Sequence, residues 1–228
     1  MNGPYVQALA LGLDPGWRRL PGAEREAGGR AFAATLDADP DVLTVTYSMV
    51  GLQAGIDLLI WRLAPSLDAL EESAALGLRT GLGAWLSVRE SFLGLIGSST
   101  YVAKASSQEQ SLFEGERSRY LVVYPFTKTP EWYLLPKEVR QGVMNEHMRV
   151  GRQYPHIRQL LAYSFGLDDQ DFLVANETDD LGSFGDLVRD LRGTESRRST
   201  VADTPILAAI HRPIGDILRL LGAGEGGR

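Results

Sequence analysis

The sequence contains no cysteine and only three histidines, His147, His156 and His211. Without cysteine the chain cannot form disulfides, thiolate nucleophiles, iron–sulfur clusters or most structural zinc sites. Any metal chemistry must therefore depend on very few ligands supplied by the protein.

Basic clusters and long apolar runs are missing as well. The formal net charge is -6, and the basic pair Arg197 and Arg198 is too short to form the concentrated basic surface that binding to nucleic acid needs. No stretch approaches the roughly 18 consecutive apolar residues of a membrane helix. Segment 5–13 is apolar, but no positive charge precedes it and no small-residue cleavage site follows it. We therefore predict a cytoplasmic protein that neither binds nucleic acid nor inserts into a membrane.

Apolar residues make up 44% of the chain, and their patterns predict the same order of elements twice. In the first half we predict strands at 5–13, 42–50, 56–63 and near residue 100, and helices at 24–36, 65–78 and 85–95. In the second half we predict strands at 120–126, 157–165, 172–176 and 205–210, and helices at 136–154 and 179–191. Each half thus follows the ferredoxin-like order of strand, helix, strand, strand, helix, strand.

This repeat predicts an α+β fold in which two tandem ferredoxin-like halves form an antiparallel β-barrel covered by helices. The predicted parts are an N-terminal half (1–104), a polar linker (105–116), a C-terminal half (117–222) and a mobile tail (223–228). Pockets between a sheet and its helices are suited to a large flat ligand.

Several common catalytic motifs are absent or incomplete. Gly81 and Gly83 belong to a fragment of a dinucleotide-binding fingerprint, but the third glycine and the later acidic residue are missing, so we interpret the fragment as a turn between two helices. The adjacent acids Asp168 and Asp169 are interpreted as a hairpin turn. The sequence has neither a Walker glycine–lysine loop nor a nucleophile elbow, which argues against nucleotide triphosphatases and hydrolases.

His147 is the best candidate for a metal ligand. It lies in the predicted helix 136–154, where Val143, Met144 and Gly151 share its side. A neutral histidine in an apolar pocket can give one ring nitrogen to a metal while the other donates to a carboxylate. The residues alone leave open the alternative of a core histidine that is hydrogen-bonded to a carbonyl.

Tyr124 and Lys128 lie four residues apart on a predicted strand and can share one face, which would bring a phenol close to an ammonium group. Pro125 can break this alternation, because a proline inside a strand indicates an edge or a bulge. An edge tyrosine and a solvated lysine are the alternative. Trp132 and Tyr133 are more typical of packing in or around a core than of a ligand platform.

These residues lie in segments whose order resembles the chlorite dismutase superfamily, which includes the coproheme decarboxylases. The segments are YPFTK (124–128), EWY (131–133), MNEH (144–147), GR (151–152), GLDD (166–169) and RGTE (192–195). The resemblance implies tandem ferredoxin-like repeats, ring-shaped homo-oligomers that are commonly pentamers, and a porphyrin bound in the C-terminal half.

The resemblance also implies roles for individual residues. His147 matches the proximal ligand of the porphyrin iron. Glu195 matches the carboxylate that hydrogen-bonds the far ring nitrogen and makes the imidazole more electron-donating. Trp132, in the second matching segment, is assigned with Glu195 to cofactor binding.

Gln159 distinguishes the subfamilies. Chlorite dismutases have an arginine at this position, whose cation can hold an oxychlorine anion, whereas many coproheme decarboxylases have glutamine. Tyr124 matches the tyrosine that in those enzymes becomes a radical and takes hydrogen from a propionate, and Lys128 matches the lysine beside it. Segment 196–210 departs from the aromatic-rich C-terminal segment of many coproheme decarboxylases.

The sequence therefore predicts a haem-type oxidoreductase. His147 would hold iron coproporphyrin III, which would react with hydrogen peroxide. Oxidised Tyr124 would then attack two propionates in turn, giving haem b and carbon dioxide, with Lys128 and Gln159 assisting. The alternatives are a chlorite dismutase-like or peroxidase-like enzyme that uses haem b, and a non-catalytic haem carrier or sensor.

Overall fold

The computed structural model describes residues 3–97 and 116–224. The strands are β1 (Tyr5–Leu13), β2 (Leu43–Gln53), β3 (Ile56–Ala64), β4 (Leu86–Leu95), β5 (Tyr120–Lys128), β6 (Arg158–Tyr163), β7 (Phe172–Thr178), β8 (Thr200–Ala202) and β9 (Leu207–His211). The helices are α1 (Gly22–Leu36), α2 (Leu67–Leu78), α3 (Pro130–Leu134), α4 (Lys137–Gly151), α5 (Leu181–Arg192) and α6 (Ile214–Leu220). Within the two described ranges, each helix is too short or too polar to cross a membrane.

The elements divide into two compact units. The first unit contains the described residues up to Leu95 and those from Ala208 on, and the second unit contains the described residues from Ile96 to Leu207. Neighbouring strands are antiparallel, in the order β4-β1-β3-β2 in the first unit and β8-β5-β7-β6 in the second. Counted within each unit, both orders are fourth, first, third, second. The predicted α+β class with two ferredoxin-like repeats is confirmed.

One face of the first unit's sheet is filled by an apolar core. Leu9 and Leu11 of β1 lie opposite Ile60 and Leu58 of β3, so that all four side chains share a face. They belong to one cluster of buried residues with Phe32 of α1. The alternation of the two strands places these residues on the helix side of the sheet, and burial of their apolar surface stabilises the unit.

The chain returns to the first unit after residue 207. β9 pairs antiparallel with β2, and α6 follows it. Ile217, Leu218 and Leu221 belong to the same core cluster as the strand residues above. The indole Nε1 of Trp17 donates a hydrogen bond of 3.0 Å to the Leu221 carbonyl. Residues far apart in sequence therefore complete one core.

The predicted helix at 85–95 is wrong, because this segment forms β4, which pairs with β1 along most of its length. Trp85, Val88, Phe92 and Leu95 have spacings of three, four and three, which imitate the apolar stripe of a helix. The pairing with β1 contains a β-bulge, and a bulge interrupts the two-residue period by which a strand is identified.

The segment at Gly81 and Gly83 is a short 3-10 turn that leads from α2 into β4, and not a turn between two helices. Gly81 has a φ of +54°, and a Cβ atom there would collide with the Gly28 carbonyl. Glycine is therefore required at this position both by backbone conformation and by close packing.

The fourth strand of the second repeat also differs from the prediction. The strand predicted at 205–210 corresponds to β9, which pairs with β2, whereas the short β8 pairs with β5. Residues from Ala208 on therefore belong to the first unit, although the predicted C-terminal half extended to residue 222. The strand predicted near residue 100, the linker up to residue 115 and residues 225–228 of the tail lie outside the described residues.

Candidate functional site

One face of the second unit's sheet carries Tyr124 and Gln159. In the register of β5, β7 and β6, Tyr124 lies opposite Val174 and Gln159 lies opposite Asn176. Opposite residues, and every second residue along a strand, share a face. This surface, called the site face below, consists of Val122, Tyr124, Phe126, Asn176, Val174, Phe172, Gln159, Leu161 and Tyr163.

The site face is only partly covered. Gln159 is exposed, Tyr124 is half-buried and Leu161 is 36% exposed. The opposite face, by contrast, is mostly buried, with Leu121, Val123, Leu160, Ala162, Leu173 and Ala175. Asn176 is buried, and its side-chain nitrogen forms no hydrogen bond of good geometry with any described residue. An open face with aromatic side chains and an unsatisfied donor is suited to a flat ligand that carries polar groups.

His147 projects from α4 and is half-buried. Its Nδ1 atom lies 3.2 Å from Ser196 Oγ, and its Nε2 atom forms no hydrogen bond with any described residue. Burial, together with the nearby Lys128 ammonium, lowers the pKa of His147 to about 4. The imidazole is therefore neutral at physiological pH, which is the state in which a ring nitrogen can bind a metal.

Lys128 is buried at the end of β5, next to His147. Its Nζ donates a hydrogen bond of 3.2 Å to the Ser196 carbonyl and lies 4.5 Å from the centre of the Trp132 ring and 5.1 Å from that of Phe126. Burial, followed by repulsion from Arg197, lowers the pKa of Lys128 to about 8. The ammonium is held by a carbonyl and two aromatic faces, so its charge is stabilised without a carboxylate in direct contact.

Tyr124 lies in a different electrostatic environment from Lys128. Burial raises the pKa of Tyr124 to about 12, an effect that the Asn176 side chain partly offsets, and the charges that act on it belong to Asp203 and Arg192. The phenol is therefore protonated at neutral pH. The Lys128 ammonium contacts Ser196, Trp132 and Phe126, and Phe126 shares the site face with Tyr124, so the proximity of phenol and ammonium stays a prediction.

The structure does not show the predicted contact between the Glu195 carboxylate and His147. The Glu195 carboxylate is 56% exposed and forms an ion pair of 3.3 Å with Arg198, while the Glu195 backbone N–H donates to Glu146. Glu195 is the first residue of a 3-10 helix, Glu195–Ser199, and the turn directs it outward and Ser196 inward. The hydroxyl of Ser196 therefore occupies the place predicted for a carboxylate.

The structure thus brings His147, Lys128 and Trp132 together around Ser196, and it places Tyr124 and Gln159 on one sheet face. Neither Ser196 nor Asn176 was predicted from the sequence to be a site residue. A polar residue inside the apolar strand β7 was the available signal for Asn176, since buried polar groups in strands need a partner. Ser196 follows a glutamate in the sequence, and no pattern there indicates that its side chain is buried.

Among the described residues, no group of three or more His, Asp or Glu side chains could hold a metal ion. The iron of a porphyrin has four ring nitrogens as ligands and can be held by a single histidine of the protein. The neutral imidazole, its unpaired Nε2 and the partly open site face fit such a group.

Comparisons with known proteins point in the same direction. Residues 25–212 match the family model described as chlorite dismutase. The chain is 34% identical over 166 residues to the coproheme decarboxylase of Mycolicibacterium smegmatis, covering 70% of this chain and 68% of that protein.

Solved structures are similar over nearly the whole chain. A mutant chlorite dismutase from Candidatus Nitrospira defluvii has a TM-score of 0.89 at 28% identity, with 97% of each chain covered. The chlorite dismutase from Candidatus Nitrospira defluvii in complex with imidazole has a TM-score of 0.88 at 28% identity, with 97% of this chain and 96% of that chain covered.

Proposed function

Because this chain belongs to the chlorite dismutase family, whose members are haem enzymes, we propose that it is a coproheme decarboxylase. In this proposal the site face and His147 bind iron coproporphyrin III, with His147 Nε2 as the protein's ligand to iron. Hydrogen peroxide is the oxidant, and the product is haem b. The homo-oligomer, a pentamer in many relatives, and the cytoplasmic location remain predictions from the sequence.

The observation that carries the choice of reaction is the lack of charge on the site face. Its nine residues are all neutral, although the Lys128 ammonium lies 5.1 Å from the centre of the Phe126 ring, and the resemblance matches Gln159 to the position at which chlorite dismutases have an arginine. A fixed cation is needed to retain an oxychlorine anion close to the iron. A neutral face with two phenols and two amides is better suited to hydrogen-bonding peroxide and orienting the edge of a porphyrin.

The bound iron porphyrin would supply, with peroxide, the oxidising equivalents for the reaction. Each propionate loses carbon dioxide, two electrons and one proton and becomes a vinyl group. One hydrogen peroxide takes up these two electrons with two protons, one of them from solvent, and becomes two waters. Two peroxide molecules are thus consumed for each haem b formed.

Tyr124 is the proposed catalytic residue. Its raised pKa keeps the phenol O–H intact at neutral pH, so that a hydrogen atom is available to be lost and later recovered from a propionate carbon. Gln159 would hydrogen-bond the peroxide without adding charge. Lys128 donates one of its three N–H groups to Ser196, which leaves two for binding a propionate or passing a proton. Trp132, buried under the ammonium, would support Lys128 at the edge of the cofactor site.

The test is to load the apo protein with iron coproporphyrin III, add hydrogen peroxide in steps and follow the porphyrin by mass spectrometry. We expect two successive losses of carbon dioxide with two hydrogens. Tyr124→Phe, which keeps the ring, should bind the porphyrin with an unchanged absorption spectrum but should not convert it.

Other outcomes would support the alternatives. Oxygen release from chlorite by the haem b complex would support a chlorite dismutase, and turnover of a phenolic substrate with an intact porphyrin would support a peroxidase. A porphyrin that is bound and released unchanged under all these conditions would support a carrier or sensor.

A further inference from the structure

Two buried hydroxyl groups lie behind His147, at the end of α5. Thr194 is 6% exposed and Ser196 is 5% exposed. The Thr194 hydroxyl donates a hydrogen bond of 2.7 Å to the Leu191 carbonyl, and its oxygen lies 2.8 Å from Ser196 Oγ. Ser196 Oγ in turn lies 3.2 Å from His147 Nδ1. These contacts form a chain from a backbone carbonyl to the imidazole.

Counting protons fixes the direction of each bond. A hydroxyl group has one proton, and a carbonyl can only accept, so the proton of Thr194 is used at Leu191. The short contact between the hydroxyls must then use the proton of Ser196. Ser196 Oγ can therefore only accept from His147 Nδ1, and a neutral imidazole with a proton on Nδ1 carries its lone pair on Nε2.

We propose that Thr194 and Ser196 are positioning residues that hold His147 in the Nδ1–H tautomer and so direct the Nε2 lone pair to a porphyrin iron. This rests on the porphyrin-binding part of the proposed function and is independent of decarboxylation. Because the acceptor is a neutral hydroxyl, the imidazole donates less electron density than it would beside a carboxylate.

Lys128 also reduces the electron density that the imidazole of His147 can donate. Its ammonium donates to the carbonyl of Ser196, so a positive charge lies close to the imidazole and makes the ring nitrogens less basic, which weakens their donation to a metal. The exposed Glu195, paired with Arg198, does not offset this charge by contact with His147. The structure therefore assigns the axial ligand a neutral partner and a cationic neighbour.

The first test needs neither porphyrin nor a variant of Thr194 or Ser196. Long-range nitrogen–proton NMR correlations of the apo protein report the tautomer of each histidine, and the His147→Gln variant identifies the signals of His147. We expect the Nδ1–H form for His147. A signal from the Nε2–H form would overturn the proposal.

The second test separates the two hydroxyls. Thr194→Val removes the acceptor for the Ser196 proton, which frees Ser196 to donate to Nδ1 and favours the wrong tautomer. We expect affinity for iron coproporphyrin III to fall by about tenfold or more, as is typical when a group behind a metal-bound histidine is lost. Thr194→Ser, which keeps the hydroxyl, should restore both affinity and tautomer.

The third test measures the iron itself. With iron coproporphyrin III bound, Ser196→Asp should lower the reduction potential and raise the iron–histidine stretching frequency, while Ser196→Ala should weaken binding. If Thr194→Val and Ser196→Asp both fold and leave tautomer, potential and stretching frequency unchanged, the proposal is wrong even if decarboxylation occurs. If these quantities shift but no carbon dioxide is lost, the proposed role of Thr194 and Ser196 is supported and the proposed reaction is wrong.

Discussion

The two units use one strand order for opposite purposes. In the first unit, Leu9 lies opposite Ile60 on the helix side of the sheet, and both are buried in the core. In the second unit, the corresponding pair of central strands places half-buried Tyr124 opposite Val174 on the site face. The first sheet completes its packing with its own side chains, whereas the second leaves part of a face open. The comparison indicates that a ligand site can arise in a fold with two repeats when the sheet of one repeat leaves part of a face uncovered by the protein's own side chains.

The largest expected difference between the two units comes from truncating one leucine in each of them. Leu58→Ala, at a fully buried position, should lower the free energy of unfolding by about 2–5 kcal/mol, because it removes apolar contacts and leaves a cavity. Leu161→Ala on the site face, where the residue is 36% exposed, should cost only about 0.5 kcal/mol. Urea unfolding of the apo protein measures both. Equal losses would mean that the site face is as tightly packed as the core.

Porphyrin binding should affect only the second unit directly. At a free concentration of iron coproporphyrin III one hundred times its Kd, the folded state should gain about 2.7 kcal/mol. Hydrogen exchange should slow in β5 and β7, with little change in β1 and β3. His147→Ala should weaken the gain without abolishing the fold. Protection that first appears in β1 and β3 would contradict the assignment of the site.

The lowered pKa of His147 makes the stability of the folded protein depend on pH in the acid range. The folded state resists protonation down to about pH 4, whereas the unfolded chain binds a proton near its ordinary pKa of 6.5, so stability is lost as the pH falls between these values. Relative to pH 7.5, this group should cost about 2 kcal/mol at pH 4.5.

His147→Gln provides the control, because it keeps a polar side chain that does not titrate in this range. The difference in unfolding free energy between wild type and variant should therefore change with pH in the direction stated above. A difference that stays constant from pH 7.5 to pH 4.5 would show that burial does not suppress protonation of His147.

Asn176 offers the smallest effect. Its buried amide nitrogen has no well-formed hydrogen bond among the described residues, so Asn176→Val should stabilise the apo protein by about 1 kcal/mol or less. The same change should weaken porphyrin binding if the amide serves the ligand. Thermal unfolding with and without iron coproporphyrin III measures both. Destabilisation of the apo protein would place Asn176 among the groups needed for folding alone.

Strands with an unbroken pattern could be predicted from the sequence. The bounds of β1 were predicted without error, and β3 and β7 were found because β-branched and large apolar residues mark buried strands. β4 was missed because a bulge disrupts its period, and β8 because three residues carry no period at all. The membership of β9 in the first unit depends on long-range pairing, which local patterns do not encode.

The site was only partly accessible to the same reasoning. The resemblance singled out His147 and Gln159, but the direction of a side chain in a short turn is decided by packing. Whether Glu195 or Ser196 points inward depends on how the 3-10 helix leaves α5, which no spacing in the sequence reveals. Tyr124 and Lys128 were correctly placed on one strand, yet their ammonium and phenol groups have different neighbours.

The return of the chain to the first unit has a consequence during synthesis. Ile217, Leu218 and Leu221 belong to the same core as Leu9 and Phe32, so that core is incomplete until the ribosome has released this segment. The second unit, whose residues form a continuous stretch, can fold earlier. Until then the nascent first unit would expose the apolar surface that these residues cover in the folded protein.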